Sequence, residues 1–145
     1  MNAADGSAGG AVRIALESPA QPEVLALVDE LDAYQKPLYP PESHHGIDLA
    51  ALLRPEVLFA VLRNDEGAAV GCGALVLGDD GSGEVKRMYL RPPWRGGGRA
   101  QALLARLEAE AAARGCTVAR LETGIRQHEA LAFYARAGYR RRGPF

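Results

Sequence analysis

The chain has 145 residues, which is the length of one ordinary domain and enough to bury a hydrophobic core without disulfides. Its 17 basic and 18 acidic side chains give a formal net charge of -1. This balance argues against a protein held mainly by the phosphates of a nucleic acid, and we predict no nucleic-acid partner.

The sequence shows neither a membrane segment nor a secretory leader. No apolar run reaches the roughly 18 residues that a membrane span needs, and residues 1–11 lack the basic and apolar regions of a secretory signal. We predict a flexible tail over residues 1–11, one domain over residues 12–145, no membrane partner and a cytoplasmic location. Cys72 and Cys116 lie in or beside apolar runs without metal-ligand spacing, so we expect free thiols and no metal.

The first part of the domain alternates between short ordered elements and a proline-rich loop. Val12–Leu16 has the alternation of a strand. A helix is predicted from Pro22 to about Tyr34, because proline is favoured in a first turn and an apolar face follows it. Three prolines predict a loop over Lys36–His45, and a short helix follows at Leu49–Leu53.

The middle and the end of the chain have different periods. Apolar segments at Val57–Leu62, Ala68–Leu77 and Glu84–Leu90 are separated by short turns rich in glycine and aspartate, which predicts an antiparallel meander. The predicted elements that follow are a helix to about Arg114, a strand at Val118–Thr123, a helix at Gln127–Ala137 and a closing strand at Tyr139–Arg142. This order predicts an α+β fold around a single sheet.

A glycine-rich loop precedes the helix that ends near Arg114. Gly96, Gly97 and Gly98 stand between Arg95 and Arg99, where this helix begins. The free N–H groups and positive dipole of a helix start can bind phosphate, glycines let a ligand approach the backbone, and arginines can pair with phosphate oxygens. A flexible turn would have the same composition, and the spacing matches neither a Walker A nor a GxGxxG motif.

Two motifs resemble those of the GNAT N-acetyltransferases. Arg95, Gly98 and Ala100 occupy the defined positions of the family's acetyl-CoA signature, Arg-x-x-Gly-x-Gly/Ala, ahead of an apolar helix. The run from Gln127 to Tyr139 is similar to the family's Asn-x-x-Ala-x-x-x-Tyr-x-x-x-Gly-Phe block. The strand Glu84–Leu90, with the proline that follows, resembles the family's central strand. The resemblance covers at least residues 57–139.

The resemblance implies a fold and a reaction. The fold is α+β, with a central mixed, mostly antiparallel sheet flanked by helices and a V-shaped split between the fourth and fifth strands. The reaction transfers the acetyl group of acetyl-CoA, as co-substrate, to a primary amine of a small molecule or peptide by direct attack in a ternary complex. The alternative is a non-catalytic acyl-CoA-binding or regulatory module with the same fold.

The resemblance also implies which groups contact acetyl-CoA. Pantetheine is expected to pair, as an added strand would, with the backbone of Met88, Tyr89 and Leu90. Gln127 replaces the family's usual asparagine and keeps an amide for the co-substrate. The residues expected at the pyrophosphate are Arg95, Gly96, Gly97, Gly98, Arg99 and Ala100.

Acyl transfer to an amine needs a proton donor, a proton acceptor and a group that stabilises the developing oxyanion. Tyr134 matches the family's tyrosine at the CoA sulfur and is the expected general acid, since a phenol is protonated at neutral pH. Glu84 is the expected base, with Glu122 or a water chain as alternatives. A backbone N–H near Tyr89 or Leu90 is expected to serve the oxyanion.

Regular alternation along the central strand would divide its side chains between the two faces of the sheet. One face would hold Glu84, Lys86, Met88 and Leu90, and the other Val85, Arg87 and Tyr89. The acceptor pocket is expected beside the proline-rich loop, where the candidate lining residues are Tyr34, Tyr39, Glu42, His44 and His45.

The sequence departs from the family at its C-terminal end. Family members usually have one more strand after the one that begins at Tyr139, and we expect this strand to be absent here. One edge of Val118–Thr123 would then have unpaired N–H and C=O groups, which invite pairing with another chain. We expect a second copy to cover the edge and favour a homodimer. The acceptor, the oligomeric state and whether the short C-terminus is native stay open.

Overall fold

A computed structural model describes residues 11–35 and 49–121 of the chain. Its elements are β1 (Val12–Leu16), α1 (Pro22–Gln35), α2 (Leu49–Leu52), β2 (Val57–Asn64), β3 (Ala69–Leu77), β4 (Ser82–Leu90), a 3-10 turn (Pro92–Trp94), α3 (Arg99–Ala113) and β5 (Val118–Leu121). The predicted elements of this part are confirmed, and the ends that can be compared differ by at most two residues. The predicted proline-rich loop, last helix, closing strand and covered sheet edge depend on residues outside these ranges.

The strands form one sheet in the order β1-β2-β3-β4-β5. The first three pairings are antiparallel, and two of them are hairpins with short turns. The β4–β5 pairing is parallel because α3 carries the chain back across one face of the sheet. The predicted α+β class with a mixed, mostly antiparallel sheet is confirmed. None of the helices in the described part of the chain is long and apolar enough to cross a membrane.

Helices cover both faces of the sheet and divide the core into two clusters. On one face, Leu103 and Leu107 of α3 are fully buried against β2, β3 and β4. On the other, Val24 and Leu27 of α1 are fully buried in a second cluster, to which Leu52 of α2 also belongs. Each such side chain stabilises the fold by about 1.5–3 kcal/mol, so α1 and α3 are firmly fixed on either side of β4.

The strand β4 holds one more residue than β3 along the ladder that they share. Lys86 lies opposite Ala74, and Tyr89 lies opposite Cys72, so two residues of β4 stand against one residue of β3. Arg87, the first of the two, has a left-handed backbone with a φ of 58°. This arrangement is a β-bulge whose first residue has the left-handed conformation that glycine adopts most easily.

The bulge makes the predicted alternation along β4 wrong. Strict alternation separates Val85 from Met88 and Leu90, yet all three pack in the cluster on the α3 face. Tyr89 packs against the cluster on the α1 face. Because neighbouring residues of a strand point to opposite faces, Glu84 points away from Val85 and toward the α1 face. Glu84 and Tyr89 therefore share a face, contrary to the prediction.

Both cysteines are free, as predicted. Cys72 is fully buried in β3, and burial raises the pKa of its thiol to about 12. Its S–H donates to the Arg87 carbonyl at 3.6 Å, so this thiol packs against the bulge and is not poised as a nucleophile. Within residues 11–35 and 49–121, no three His, Cys, Asp or Glu side chains are grouped to hold a metal ion.

Candidate functional site

Within the described residues, the strands β4 and β5 pair along the first part of β4. The parallel ladder runs from Ser82, opposite Val118, to Val85, opposite Leu121. Among the residues that the structure describes, no strand lies beside β4 on this side between the bulge and Leu90. In the part of the chain that the structure describes, the second half of β4 therefore has an open edge, at the place where the sequence predicts the V-shaped split.

The backbone of this half of β4 directs polar groups to the open edge. The Arg91 N–H donates to the Val70 carbonyl of β3 at 3.0 Å. Successive residues of a strand point their N–H and C=O groups to opposite edges, so the groups of Tyr89 also point to β3. Those of Met88 and Leu90 point to the split. Of the three backbone positions predicted to contact a ligand, the geometry thus favours Met88 and Leu90 over Tyr89.

The glycine loop leads from the split into α3 and leaves an open surface above it. The φ angles of Gly96, Gly97 and Gly98 are 87°, 66° and 80°, which other residues rarely adopt. A Cβ at Gly96 or Gly98 would meet no atom within 4 Å. The helical hydrogen bond from the Ala102 N–H to the Gly98 carbonyl is 2.9 Å long. Before it, the Arg99 N–H donates to the Gly96 carbonyl at 3.4 Å, whereas the Ala100 N–H lacks a helical acceptor and suits an anion.

Both arginines of the loop motif fold back beside the glycines. Arg95 Nε donates to the Leu90 carbonyl at 2.8 Å, and its guanidinium carbon lies 5.7 Å from the centre of the Tyr89 ring. The Arg99 guanidinium carbon lies 5.6 Å from the centre of the Trp94 ring, which is buried. Such cation–π contacts contribute about 0.5–1 kcal/mol at partly exposed sites. They hold two positive charges next to the loop.

The helix α1 supplies two carboxylates to the second half of β4. Glu30 accepts a hydrogen bond from the Tyr89 hydroxyl at 2.9 Å and two from the Arg91 guanidinium at 2.9 and 3.2 Å. Asp32 forms an ion pair with Arg87 at the bulge. The wall between α1 and the open half of β4 is therefore built from charged and hydrogen-bonded side chains.

Sequence reasoning did not single out Glu30 or Asp32. The signal that could have pointed to them is Arg87, a permanently charged residue in the middle of a half-buried strand. A guanidinium in such a position needs an acidic partner, but the sequence alone does not show which acidic residue is near.

The contacts of Glu30 and Tyr89 shift their pKa values in opposite directions. Burial is the largest single influence on Glu30 and raises its pKa, but hydrogen bonds from Arg91 and Tyr89, with the charge of Arg91, outweigh it, so the pKa lies below its ordinary value. Burial, followed by the hydrogen bond to Glu30, raises the pKa of the Tyr89 phenol. Tyr89 is therefore a neutral hydrogen-bond donor at physiological pH.

The predicted base Glu84 lies in the part of β4 that still pairs with β5, opposite Arg120. Its Oε2 is 3.3 Å from Lys86 Nζ. It is four positions from Met88 and six from Leu90 in the sequence, which is up to about 13 and 20 Å of strand. The structure thus brings Glu84 onto the face of Tyr89 but not next to Leu90.

Other predicted site residues lie outside the described part of the chain. They are Glu122, Gln127 and Tyr134, the loop residues Tyr39, Glu42, His44 and His45, and the side chain of Tyr34. Their roles stay predictions.

Comparisons of sequence show relatives along most of the chain. A model of the Acetyltransferase (GNAT) family matches residues 24–139. The chain is 47% identical over 135 residues to an Azospirillum brasilense protein named IAA acetyltransferase, which is 92% of this chain and 88% of that protein. It is 37% identical over 103 residues to the Bacillus subtilis protein YsnE, named an uncharacterized N-acetyltransferase, covering 70% of this chain and 67% of that protein.

A comparison of structures agrees. A crystal structure from Klebsiella pneumoniae, provisionally described as an acyl-CoA N-acyltransferase, superimposes with a TM-score of 0.78 and 41% sequence identity. The superposition covers 92% of this chain and 86% of that chain. The similarity therefore extends well beyond the two motifs.

The substitution Glu30→Gln tests the contact between α1 and β4 through its pH dependence. Because the pKa of Glu30 is lower in the folded chain than in the unfolded chain, the folded state binds fewer protons. The carboxylate's stabilisation is present above the unfolded-state pKa of about 4.3 and is lost as the pH falls through the folded-state value. We expect the variant to melt about 2 °C below the wild type at neutral pH, and this difference to disappear in acid.

Thermal melts followed by circular dichroism at about pH 7 and pH 3 measure this difference. Glu66→Gln, in the exposed turn between β2 and β3, is the matched control. A Glu30→Gln difference of equal size at both pH values would show that the charge of the carboxylate is not what stabilises the contact.

Proposed function

We propose, since this chain belongs to the acetyltransferase (GNAT) family, that it transfers the acetyl group of acetyl-CoA to a primary amine of a small molecule or peptide. The transfer proceeds by direct attack of the amine in a ternary complex. The observation that carries the proposal is the edge of β4 beyond Val85, which is open among residues 11–35 and 49–121 and lies beside a glycine loop at the start of a helix. A cytoplasmic location and a homodimer stay predictions.

The loop and the helix start fit the pyrophosphate of acetyl-CoA. Gly96 and Gly98 leave space that side chains would fill, and the N–H groups that lead into the first turn of α3 suit phosphate oxygens. Arg95 and Arg99 add positive charge at the same place. Acetyl-CoA, when bound, supplies an activated acyl group and a thiolate leaving group.

The open edge of β4 is the proposed binding site for pantetheine. Met88 and Leu90 direct main-chain groups to this edge, and such groups can hold an extended ligand without particular side chains. The Leu90 N–H is the proposed donor to the negative charge that develops on the acyl oxygen. The Met88 N–H has the same orientation and is the alternative, whereas the Tyr89 N–H points to β3.

Tyr134 is the proposed general acid, on the strength of the motif that it shares with the family. Its hydroxyl would donate a proton to the sulfur as the carbon–sulfur bond breaks. Gln127, in the same motif, is proposed to contact the co-substrate through its amide.

Three groups are candidates for the base that takes the proton from the amine. Glu84 lies on the α1 face of β4, and the length of strand between it and Leu90 means that it would act through water. Glu122 and a chain of water molecules to solvent are the alternatives.

The acceptor is proposed as an amine, and its identity is to be found by assay. Steady-state release of CoA should be measured over a panel of small-molecule and peptide amines, together with the compound that the Azospirillum relative's name abbreviates as IAA. We expect saturable release with at least one amine. Binding of acetyl-CoA without release for any compound would instead support a non-catalytic acyl-CoA-binding module.

The substitution Gly98→Asp tests the phosphate site. It places a Cβ and a carboxylate on the open surface where we propose the pyrophosphate, so CoA affinity should fall at least about tenfold through charge repulsion. Isothermal titration calorimetry with CoA measures the affinity, and circular dichroism checks the fold.

Gly67→Asp is the matched control for backbone strain. Gly67 has a φ of 87° and no atom within 4 Å of a Cβ, like Gly98, but lies in the turn between β2 and β3. We expect Gly67→Asp to bind CoA as the wild type does. An unchanged affinity in Gly98→Asp, or an equal loss in both variants, would refute the proposed phosphate site.

The substitution Tyr134→Phe tests the general acid. Loss of a general acid typically lowers kcat by about 10²–10⁴-fold, whereas CoA affinity should change little because the ring is kept. Tyr139→Phe, at the position where the family motif itself has phenylalanine, is the control. A Tyr134→Phe kcat within about threefold of the wild type would mean that another group donates the proton.

A further inference from the structure

We propose that Asp32 and Arg87 form a positioning pair, which holds the backbone of β4 in the conformation that presents Met88 and Leu90 to acetyl-CoA. The inference rests on the proposed function of the open β4 edge. It concerns how that edge is kept in place, and it gives α1 a part in the site that neither motif suggests.

The first observation is the backbone of Arg87 itself. Its φ of 58° is the only left-handed value at a non-glycine residue within the ranges 11–35 and 49–121. Side chains other than glycine are disfavoured there because the Cβ crowds the backbone. Such a conformation persists only where the surroundings hold it in place.

The second observation is that both ends of Arg87 are held. Its side chain is only 9% exposed and forms an ion pair with Asp32 of α1. Its carbonyl accepts the S–H of Cys72 of β3. A buried guanidinium that lost its carboxylate would be strongly unfavourable, so the position of Asp32 restricts where the Arg87 side chain, and with it the backbone, can lie.

The third observation is that α1 is itself a fixed anchor. Near its start, Arg63 of β2 pairs with Glu17, ahead of the helix, at 2.8 Å and with Glu23 at 3.2 Å. Near its other end, Glu30 receives hydrogen bonds from Tyr89 and Arg91. Asp32 therefore projects from a helix that is tied to the sheet on both sides of its buried middle.

The consequence for the site follows from the register. The extra residue at the bulge determines which N–H and C=O groups of residues 88–91 point to β3 and which point to the split. If Arg87 adopted an ordinary strand conformation, the pairing after it would slip by one residue and every group would reverse its direction. The Leu90 N–H would then face β3, away from the proposed position of the acyl oxygen.

A glycine substitution at position 87 distinguishes the positioning role from a role in fold stability and from direct contact with the ligand. Glycine adopts a φ of 58° without strain. In Arg87→Gly the ion pair is lost, but the left-handed backbone at the bulge is stable without it. A pair that merely stabilises the fold, or an Arg87 that contacts the ligand, predicts that Arg87→Gly is at least as damaging as Arg87→Ala. A positioning pair predicts that glycine restores what alanine loses.

The experiment compares Asp32→Ala, Arg87→Ala, Arg87→Gly and the double variant Asp32→Ala/Arg87→Gly. Calorimetry with acetyl-CoA and no acceptor measures the affinity. Hydrogen exchange of the Arg91 amide in the free protein reports on the pairing after the bulge, since this amide donates to Val70. The exposed Asp29, on the same helix, supplies the control Asp29→Ala.

We expect Asp32→Ala and Arg87→Ala each to weaken acetyl-CoA binding about tenfold and to speed Arg91 exchange by a similar factor. Arg87→Gly, the double variant and Asp29→Ala should stay close to the wild type in both measurements. If Arg87→Ala does not fold, the double variant Asp32→Ala/Arg87→Ala is compared with Asp32→Ala/Arg87→Gly. Both remove the buried guanidinium, so relief of an unpaired charge would restore binding and exchange equally in the two, whereas a positioning pair predicts that only the glycine variant is restored.

Weak binding and fast Arg91 exchange in the glycine variants, equal to those of Arg87→Ala, would overturn the positioning pair. Wild-type affinity and exchange in Asp32→Ala would also overturn it. If the wild type itself bound no acetyl-CoA while the exchange rates followed the expected pattern, the proposed function would fail and the positioning pair would stand.

Discussion

In the ladder between β3 and β4, two residues of β4, Arg87 and Met88, lie opposite one residue of β3. Beyond this bulge, the side chains and main-chain groups of β4 point in the opposite directions to those of a regular strand. This reversal has two effects on the site. It places Tyr89 on the same face as Glu84 and the helix α1, and it directs the main-chain groups of Leu90 to the edge that the described part of β5 leaves open. A regular strand at this position would offer a different set of donors to a ligand.

The charged side chains around this half of β4 form ion pairs and hydrogen bonds with groups next to them. Arg87 pairs with Asp32, Arg91 pairs with Glu30, and Arg95 donates to the carbonyl of Leu90. These contacts fix the strand, the helix α1 and the glycine loop relative to one another. Donors that are already in place need little reorganisation when charge develops on a reacting atom, which is how such sites stabilise it.

The composition of the chain is consistent with this use of charge. The formal net charge is only -1, but arginines are clustered between positions 87 and 99. Arg95 and Arg99 place positive charge beside the loop, where we propose the phosphates of acetyl-CoA, while acidic residues of α1 pair with the arginines of the strand. A neutral chain can therefore carry a local anion site.

Much of the fold could be predicted from the sequence because its signals are local. Period-two and helical apolar patterns, glycine-rich turns and prolines give the order of elements from β1 to β5 within two residues of the observed ends that can be compared. The glycine loop was found for the same reason, since Gly96, Gly97 and Gly98 adopt the left-handed conformations that their clustering suggests.

The parts that the sequence could not predict depend on contacts between distant segments. The bulge occupies a position where glycine is usual, but Arg87 stands there, so no local residue marks it. The reason that arginine is accepted, its pairing with Asp32, joins positions 55 residues apart. Likewise, Glu30 and Tyr89 are 59 residues apart. The proposed roles of Tyr134 and Gln127 rest on the sequence motif that contains both residues.

In the site that we propose, the open edge of β4 and the glycine loop together bind acetyl-CoA, with the Leu90 N–H directed to the ligand and the Tyr89 N–H directed to β3. Amide hydrogen exchange measured by NMR, with and without saturating acetyl-CoA, tests this most directly. Exchange at the Leu90 and Gly98 amides should slow by about tenfold or more on binding, while exchange at Tyr89 changes much less. Saturable binding that left exchange at Leu90 unchanged would contradict the account.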